Sequence, residues 1–495
     1  MPANRSRQGC DECRRRRRKC DEKKPTCGPC FDHSRVCNYT LNLVWGGRSF
    51  SKSRFGTCLQ AQNPPASKIY NDGGDFIYGT NDLARDSTSL PPTQLPVIPQ
   101  SLPNGMPMPP RYRKLLDYLA KDVLASLSCH PSIHEDLCRG LVPAMLHSPH
   151  LLSAGLALSA AGFLSRGLVM IDGTDLSRII VHLQSSGLSL LRTALGRGQM
   201  DEVSLSTCII WCLADVFSTR RGVSSWRIHL DGVKAILGSN KEFQAILAKP
   251  GPTQSALKHL YQLYLSLQTL PHVPSLPQVE SLIGTEVAEI PSESEMTSHP
   301  KIDGFLGYSE ELLGVLQRIG QLTAQGQTSE EVIRLEADIL LGRVKGLIAR
   351  DMSVPPIVSI SSDLSTESGR DFALCNKIFQ QATLIHLYRR LYNLPSGSEP
   401  IQCALSEMIE LINSMTQGQP CHTWVAMAMP LFTMGCEAFS DDQKAFVLDK
   451  IHKFEVCLGS LHVRVLRQAL EDIWKLRLDR GDLDGSLCAG LFLST

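Results

Sequence analysis

Six cysteines near the start of the chain carry its most specific chemistry: Cys10, Cys13, Cys20, Cys27, Cys30 and Cys37. They form a duplicated unit, C-x2-C-x6-C, then a six-residue loop, then C-x2-C-x6-C again. Two residues between cysteines let both thiolates grip one metal ion, and zinc prefers four tetrahedral sulfurs at about 2.3 Å. Two separate tetrahedral sites would need eight sulfurs. Six suffice when two thiolates bridge both ions, so the stoichiometry itself proposes a binuclear centre. With every position filled by protein there is no place for a catalytic water, and the metal organises the fold. About forty residues also build too small a core to fold alone, which couples metal binding to folding.

Between Cys13 and Cys20 run six consecutive cations, Arg14, Arg15, Arg16, Arg17, Arg18 and Lys19. The second repeat encloses Phe31, Asp32, His33, Ser34, Arg35 and Val36, so only the first half is dressed for a polyanion. A short helix over residues 14–19 would turn some cations to phosphates and one or two to base edges. Arginine offers a fork of donors that matches guanine O6 and N7. A nuclear localisation signal or a nonspecific polyanion patch is the plainer alternative for such a run, but enclosure by ligands at both ends favours specific DNA reading, and both roles can coexist. Residues 1–55 hold 14 Lys and Arg against 5 Asp and Glu, although the whole chain carries only +1. The average hides a basic head on a mildly acidic body.

The stretch GCDECRRRRRKCDEKKPTCGPCFDHSRVC, from Gly9 to Cys37, resembles the zinc binuclear cluster of fungal transcription factors. The resemblance implies two zinc ions bridged by Cys10 and Cys27, with Cys13 and Cys20 completing one ion and Cys30 and Cys37 the other. Pro25 falls where that family carries a loop proline. Further implications are double-stranded DNA as the partner, a nuclear location and regulation of RNA polymerase II transcription. CGG-like triplets would be read by Arg16 and Arg17, with Arg14 and Lys19 on phosphates. Arginine stands at positions 17 and 18 where the family more often has lysine and an aliphatic residue, which leaves the triplet preference open. A disulfide knot suits the arginine run poorly. No histidine lies at RING spacing, and no H-x-E precedes Cys27 as a zinc deaminase would require.

These residues need elements to hold them, and the chain divides by composition. Residues 1–45 form the cluster module. Residues 46–110 lack apolar periodicity and end in prolines from Pro91 to Pro110, the composition of a flexible linker. From Tyr112 onward the spacing turns helical, with Tyr112, Leu115, Leu116, Leu119, Val123 and Leu127 on one face. Asp201 and Glu202 open a helix that runs to Phe217, and Trp226 to Leu237 form another, closed by Gly238. Further helices are expected near residues 253–269, 329–349, 367–393, 402–415, 441–456 and 460–478. The 14 apolar and small residues from Leu151 to Leu164 fall short of the roughly 20 that cross a bilayer, so they read as a buried core helix and no membrane partner is expected. No alternating pattern of comparable length competes. The expected fold class is therefore all-α, a small zinc module joined by a disordered linker to a large α-helical domain over residues 111–480, with a tail at 481–495.

Eleven other cysteines lie at irregular spacing among the chain's 17, which, with a charged N-terminus and no signal peptide, reads as free thiols in a reducing compartment. Several body segments resemble the fungal-specific transcription factor regulatory domain: Leu151–Leu164, Val203–Phe217, WRIHLDGVKAIL at Trp226–Leu237 and PLFTMGCEAF at Pro430–Phe439. LVW at Leu43–Trp45 has the same look. That resemblance implies a regulatory region with co-regulators or a small-molecule effector as partners. Cys129, His130, His134 and Cys138 invite a second metal site, but Pro131 and an apolar face favour solvated histidines and buried thiols. Trp211, Trp226, Trp424 and Trp474 read as core anchors, and Glu280 to Glu295 as a solvated loop before an activation segment.

No G-x-S-x-G, Walker or dinucleotide motif occurs, so no enzyme is expected. The rival reading is a ligand-binding or catalytic body with a nonspecific DNA-tethering head. Residues 41–75 hold no a/d heptad run, which leaves binding as a monomer and homodimerisation through the body both open.

Overall fold

The computed structural model describes residues 10–16, 18–23, 26–33, 35–37, 98–103, 105–218, 226–239, 243–247, 249–269, 299–324, 329–360 and 362–480. It forms two compact units, Met1–Ser89 and Leu90–Thr495. Residues 46–97 of the expected linker, Leu43–Trp45, Glu280 to Glu295 and the tail at 481–495 lie outside the described residues.

The first unit is built on two short helices, α1 (Asp11–Arg15) and α2 (Gly28–Phe31), one in each cysteine repeat. The second is all-α. It begins with α3 (Pro110–Tyr118), a π-helical turn (Leu119–Val123) and α4 (Leu124–Ser126), followed by α5 (Pro131–His147), α6 (Pro149–Ser165), α7 (Leu176–Gly196), α8 (Glu202–Ser218), α9 (Trp226–Ser239), α10 (Phe243–Leu247) and α11 (Pro252–Leu267). After the gap come α12 (Glu310–Ala324), α13 (Glu330–Ser353), α14 (Thr366–Arg390), α15 (Glu399–Ser414), α16 (Ala428–Glu437), α17 (Asp441–Leu458) and α18 (Leu461–Arg480). Packing starts ahead of Tyr112: Met108 is buried, and Ile98 and Leu102 lie half-buried against the core.

Helix α6 is apolar on every side and is accordingly enclosed, packing on α3, α5, α7 and α8. Its small residues permit this. A Cβ at Gly155 would fall 2.7 Å from Met145 Cε. Helix α8 is buried from Ser204 to Ala214, and Asp201 caps it by accepting from the Ser204 N–H at 2.9 Å. In the C-terminal half α14 takes the central place, against α12, α13, α15 and α16. One apolar core runs from Met108 to Trp474 and joins both halves. Trp211 and Trp424 are fully buried, Trp474 donates its indole N–H to the Gly435 carbonyl at 2.9 Å, and Trp226 is half-buried under Arg227.

Strands are few and short among the described residues. Met170–Ile171 (β1) and Thr174–Asp175 (β2) pair antiparallel around Asp172 and Gly173, both at positive φ as an Asp-Gly hairpin turn requires. Lys301–Asp303 (β3) and Ile357–Ser359 (β4) pair in parallel, Ile302 opposite Val358. Gly238 does not close α9: it has a helical φ and sits inside the last turn. The left-handed cap falls instead to Gly459, φ 59°, at the end of α17.

Candidate metal centre and nucleic-acid interface

The two cysteine repeats fold alike. Cys10 precedes α1 and Cys27 is the N-cap of α2, whose first turn holds Pro29. In each repeat the second cysteine falls on the helix (Cys13, Cys30), and the chain then turns back to deliver the third (Cys20, Cys37). Backbone N–H groups point at the sulfurs. Cys13 N donates to Cys10 Sγ (3.5 Å), Cys10 N to Cys20 Sγ (3.5 Å), Cys27 N to Cys37 Sγ (3.3 Å) and Glu22 N to Cys20 Sγ (3.4 Å).

The six sulfurs fall into two overlapping groups, Cys10, Cys13, Cys20 and Cys27, and Cys10, Cys27, Cys30 and Cys37. Within each group all sulfurs lie within 4.8 Å of one another, and Cys10 and Cys27 belong to both. Cys10 Sγ is 3.6 Å from Cys27 Sγ and from Cys30 Sγ, and Cys13 Sγ is 3.7 Å from Cys27 Sγ. A tetrahedron with zinc–sulfur bonds of 2.3 Å has edges of about 3.8 Å. The donor set fits two zinc ions in number, element and spacing.

Of these six cysteines all but Cys37 are buried. Burial pushes the Cys10 thiol up to about 12 and raises Cys13 and Cys27 as well. Sulfurs so placed ionise only beside a counter-charge, which a divalent cation supplies.

The basic run is shaped by these ligands. The helix covers Asp11–Arg15, earlier than the 14–19 expected from the cations, because a helix from Cys13 to Cys20 would separate them by about 10 Å. Bringing both sulfurs into one group makes the chain reverse, and the Arg18 N–H returns to the Cys13 carbonyl at 3.0 Å. Arg16, Arg18 and Lys19 are exposed. Arg17 and the Arg14 side chain lie outside the described residues.

Glu12 was not among the expected site residues. Its carboxylate accepts a two-pronged bond from Arg15 (Nε 3.0 Å, Nη2 2.9 Å) and another from Arg35 Nη1 (3.0 Å), and it lies 3.8 Å from Arg16 Nε. The bonds from Arg15 and Arg35 hold the Glu12 carboxyl at about 2. One acid thus occupies Arg15 and ties the first repeat to the second. An acid three residues before an arginine on a helix was the available signal. Asp21 is a second tie, with both oxygens 3.1 Å from the Gly28 N–H.

In the body, Cys129, His130, His134 and Cys138 make no metal group among the described residues. Each is bonded within the body, and His134 is buried rather than solvated as expected. Cys129 Sγ donates to the Phe305 carbonyl (3.0 Å), His130 caps α5, and His134 Nε2 (2.6 Å) and Cys138 Sγ (3.3 Å) both donate to the Ala120 carbonyl in the π-helical turn. No helix of the described residues is long and apolar enough to cross a membrane.

Residues 8–45 match the fungal Zn(2)-Cys(6) binuclear cluster domain, and residues 114–486 match the fungal specific transcription factor domain. Over 37 residues the chain is 62% identical to a lysine biosynthesis regulatory protein of Saccharomyces cerevisiae, a stretch that is 8% of this chain and 5% of that protein. It is 54% identical over 54 residues to sterol uptake control protein 2 of the same yeast, 11% and 6% of the respective chains. An uncharacterised transcriptional regulatory protein of Schizosaccharomyces pombe is 31% identical over 108 residues, 21% of this chain and 18% of that one. The chain therefore spans less than a fifth of the length of each of these relatives. No solved structure matches it.

Proposed function

The chain belongs to the fungal specific transcription factors with a two-zinc binuclear cluster, and on that premise we propose that it regulates RNA polymerase II transcription in the nucleus by sequence-specific binding to CGG-like triplets. Cys10, Cys13, Cys20 and Cys27 would hold one zinc and Cys10, Cys27, Cys30 and Cys37 the other, Cys10 and Cys27 being the two cysteines common to both groups. The single observation that carries this reading is the pair of overlapping four-sulfur groups, from whose first helix the exposed cations Arg16, Arg18 and Lys19 follow. Bound zinc supplies cross-links between thiolates and partial cancellation of their charge; the protein's side chains do the rest.

The family resemblance assigns Arg16 and Arg17 to the base edges and Arg14 and Lys19 to the phosphates, roles that suit a guanidinium fork and a point charge respectively. Clamping of Arg15 by Glu12 removes one cation from that contest. Residues 1–45 act as the DNA-binding module, 46–110 as the connection, whose last residues from Ile98 already pack on the body, and 111–480 as a non-enzymatic regulatory body that answers to co-regulators or a small effector, followed by the tail at 481–495.

In vitro selection of DNA sites with the zinc-loaded chain, followed by gel shifts over a salt series, tests this. CGG-containing duplexes should be enriched, and chelation should abolish selectivity. Arg17→Ala should weaken binding and relax base preference together, whereas Lys19→Ala should lower affinity on all sequences and reduce the salt slope by about one. Equal affinity for selected and random duplexes would instead establish a nonspecific tether.

A further inference from the structure

Helix α13 (Glu330–Ser353) buries Ala337, Leu340, Val344 and Leu347 against the body, and its opposite face is apolar too. Val332, Leu335 and Ile339 are 48%, 63% and 54% exposed, unusual for side chains of this size in one line. The line continues through Gly342, Gly346 and Ala349. These six positions are spaced by three and four residues in turn, the a/d seam of a coiled coil, with all but the half-buried Gly346 exposed. Gly342 has no use within the chain as described: a Cβ built there meets nothing within 4 Å. Glycine in a helix interior weakens the helix, so it points to a close approach from outside.

We infer that this seam docks on the same seam of a second copy of the chain, the two α13 helices antiparallel about a two-fold axis between Leu340 and Leu341. Occupancy by a second copy follows from self-complementarity. In that register Val332 faces Ala349 of the second copy, Leu335 faces Gly346 and Ile339 faces Gly342. Every layer pairs one large residue with one small one, which lets the axes approach to about 8 Å at uniform spacing. A parallel pair would stack large on large at one end and glycine on glycine at the other, splaying the helices.

Charge agrees. Asp338 and Lys345 are exposed on the flank of the seam, Asp338 accepting the Tyr392 hydroxyl within its own chain at 2.5 Å and keeping its second oxygen for a partner, and the same antiparallel register sets Asp338 of each copy against Lys345 of the other. The arrangement is isologous and closes at two. One helix pair buries less than the roughly 1,200 Å² at the lower end of stable interfaces, so the free dimer is weak and gains strength when two heads bind one DNA.

Sedimentation equilibrium of the full, zinc-loaded chain over a range of concentrations tests this. The wild type should show a reversible monomer–dimer equilibrium. Gly342→Gln fills open space in the monomer, so its melting temperature should hold or rise, while its dimerisation should weaken about tenfold or more through collision with Ile339 of the second copy. Asp338→Lys and Lys345→Asp should each weaken self-association, and mixing the two variants should restore it. A wild type that stays monomeric throughout, or a dimer indifferent to Gly342→Gln, overturns the interface. Weakening by both charge variants without rescue on mixing overturns the antiparallel register.

Discussion

Cys10 Sγ and Cys27 Sγ lie 3.6 Å apart, and each sulfur belongs to both four-sulfur groups of the head. On the bridged arrangement proposed above, replacing either one would break two metal sites, while replacing a cysteine of one group would break one. Cys10→Ala or Cys27→Ala should leave no zinc on the head, as read by metal analysis after desalting, with loss of its fold. Cys13→Ala or Cys37→Ala should retain one zinc, because the other group keeps all four sulfurs. Equal zinc loss from all four variants would contradict the bridged arrangement.

The grouping of the six sulfurs was legible because metal spacing is local: each C-x2-C-x6-C unit closes its own turn of chain, and the two units bring their sulfurs into two overlapping groups. The helices were legible wherever apolar residues recur on one face. Those expected at 367–393 and 441–456 are α14 (Thr366–Arg390) and α17 (Asp441–Leu458). Helix α7, absent from the expected set together with α12, carries the same signal in Ile179, Leu183, Gly187, Leu191 and Ala194.

What the sequence hid was set by long-range partners. The parallel pairing of Lys301–Asp303 with Ile357–Ser359 involves three residues a side, too short for any alternation to register. The π-helical turn at Leu119–Val123 leaves the apolar spacing almost unchanged, and its mark is the Ala120 carbonyl shared by His134 and Cys138. The a/d spacing missing from residues 41–75 recurs in the body, on the outer face of α13.

Gly140 marks the crossing of α5 and α11. A Cβ there would fall 2.3 Å from the Pro252 carbonyl oxygen and 2.5 Å from Ala256 Cβ, and backbone cannot step aside as a side chain does. Gly140→Ala should therefore destabilise the body by about 1–3 kcal/mol in chemical denaturation, with zinc content unchanged. A variant as stable as the wild type would show that the two helices separate freely at this point.

His386, half-buried on α14, sits 3.1 Å from Thr433 Oγ1. Burial, and secondarily the charge of Arg390, lowers its imidazole from the ordinary 6.5 to about 3. The unfolded chain takes up a proton at this side chain as pH falls below about 6.5, whereas the folded body does so only near 3. Stability contributed by the neutral ring is therefore fully present above 6.5 and is lost as pH falls through that window, with a slope of at most about 1.4 kcal/mol per pH unit. His386→Gln keeps a polar group near Thr433 and cannot titrate. Its unfolding free energy should fall less steeply than the wild type's between pH 6.5 and 5, and parallel pH profiles for the two chains would show that the folded body binds this proton as readily as the unfolded one.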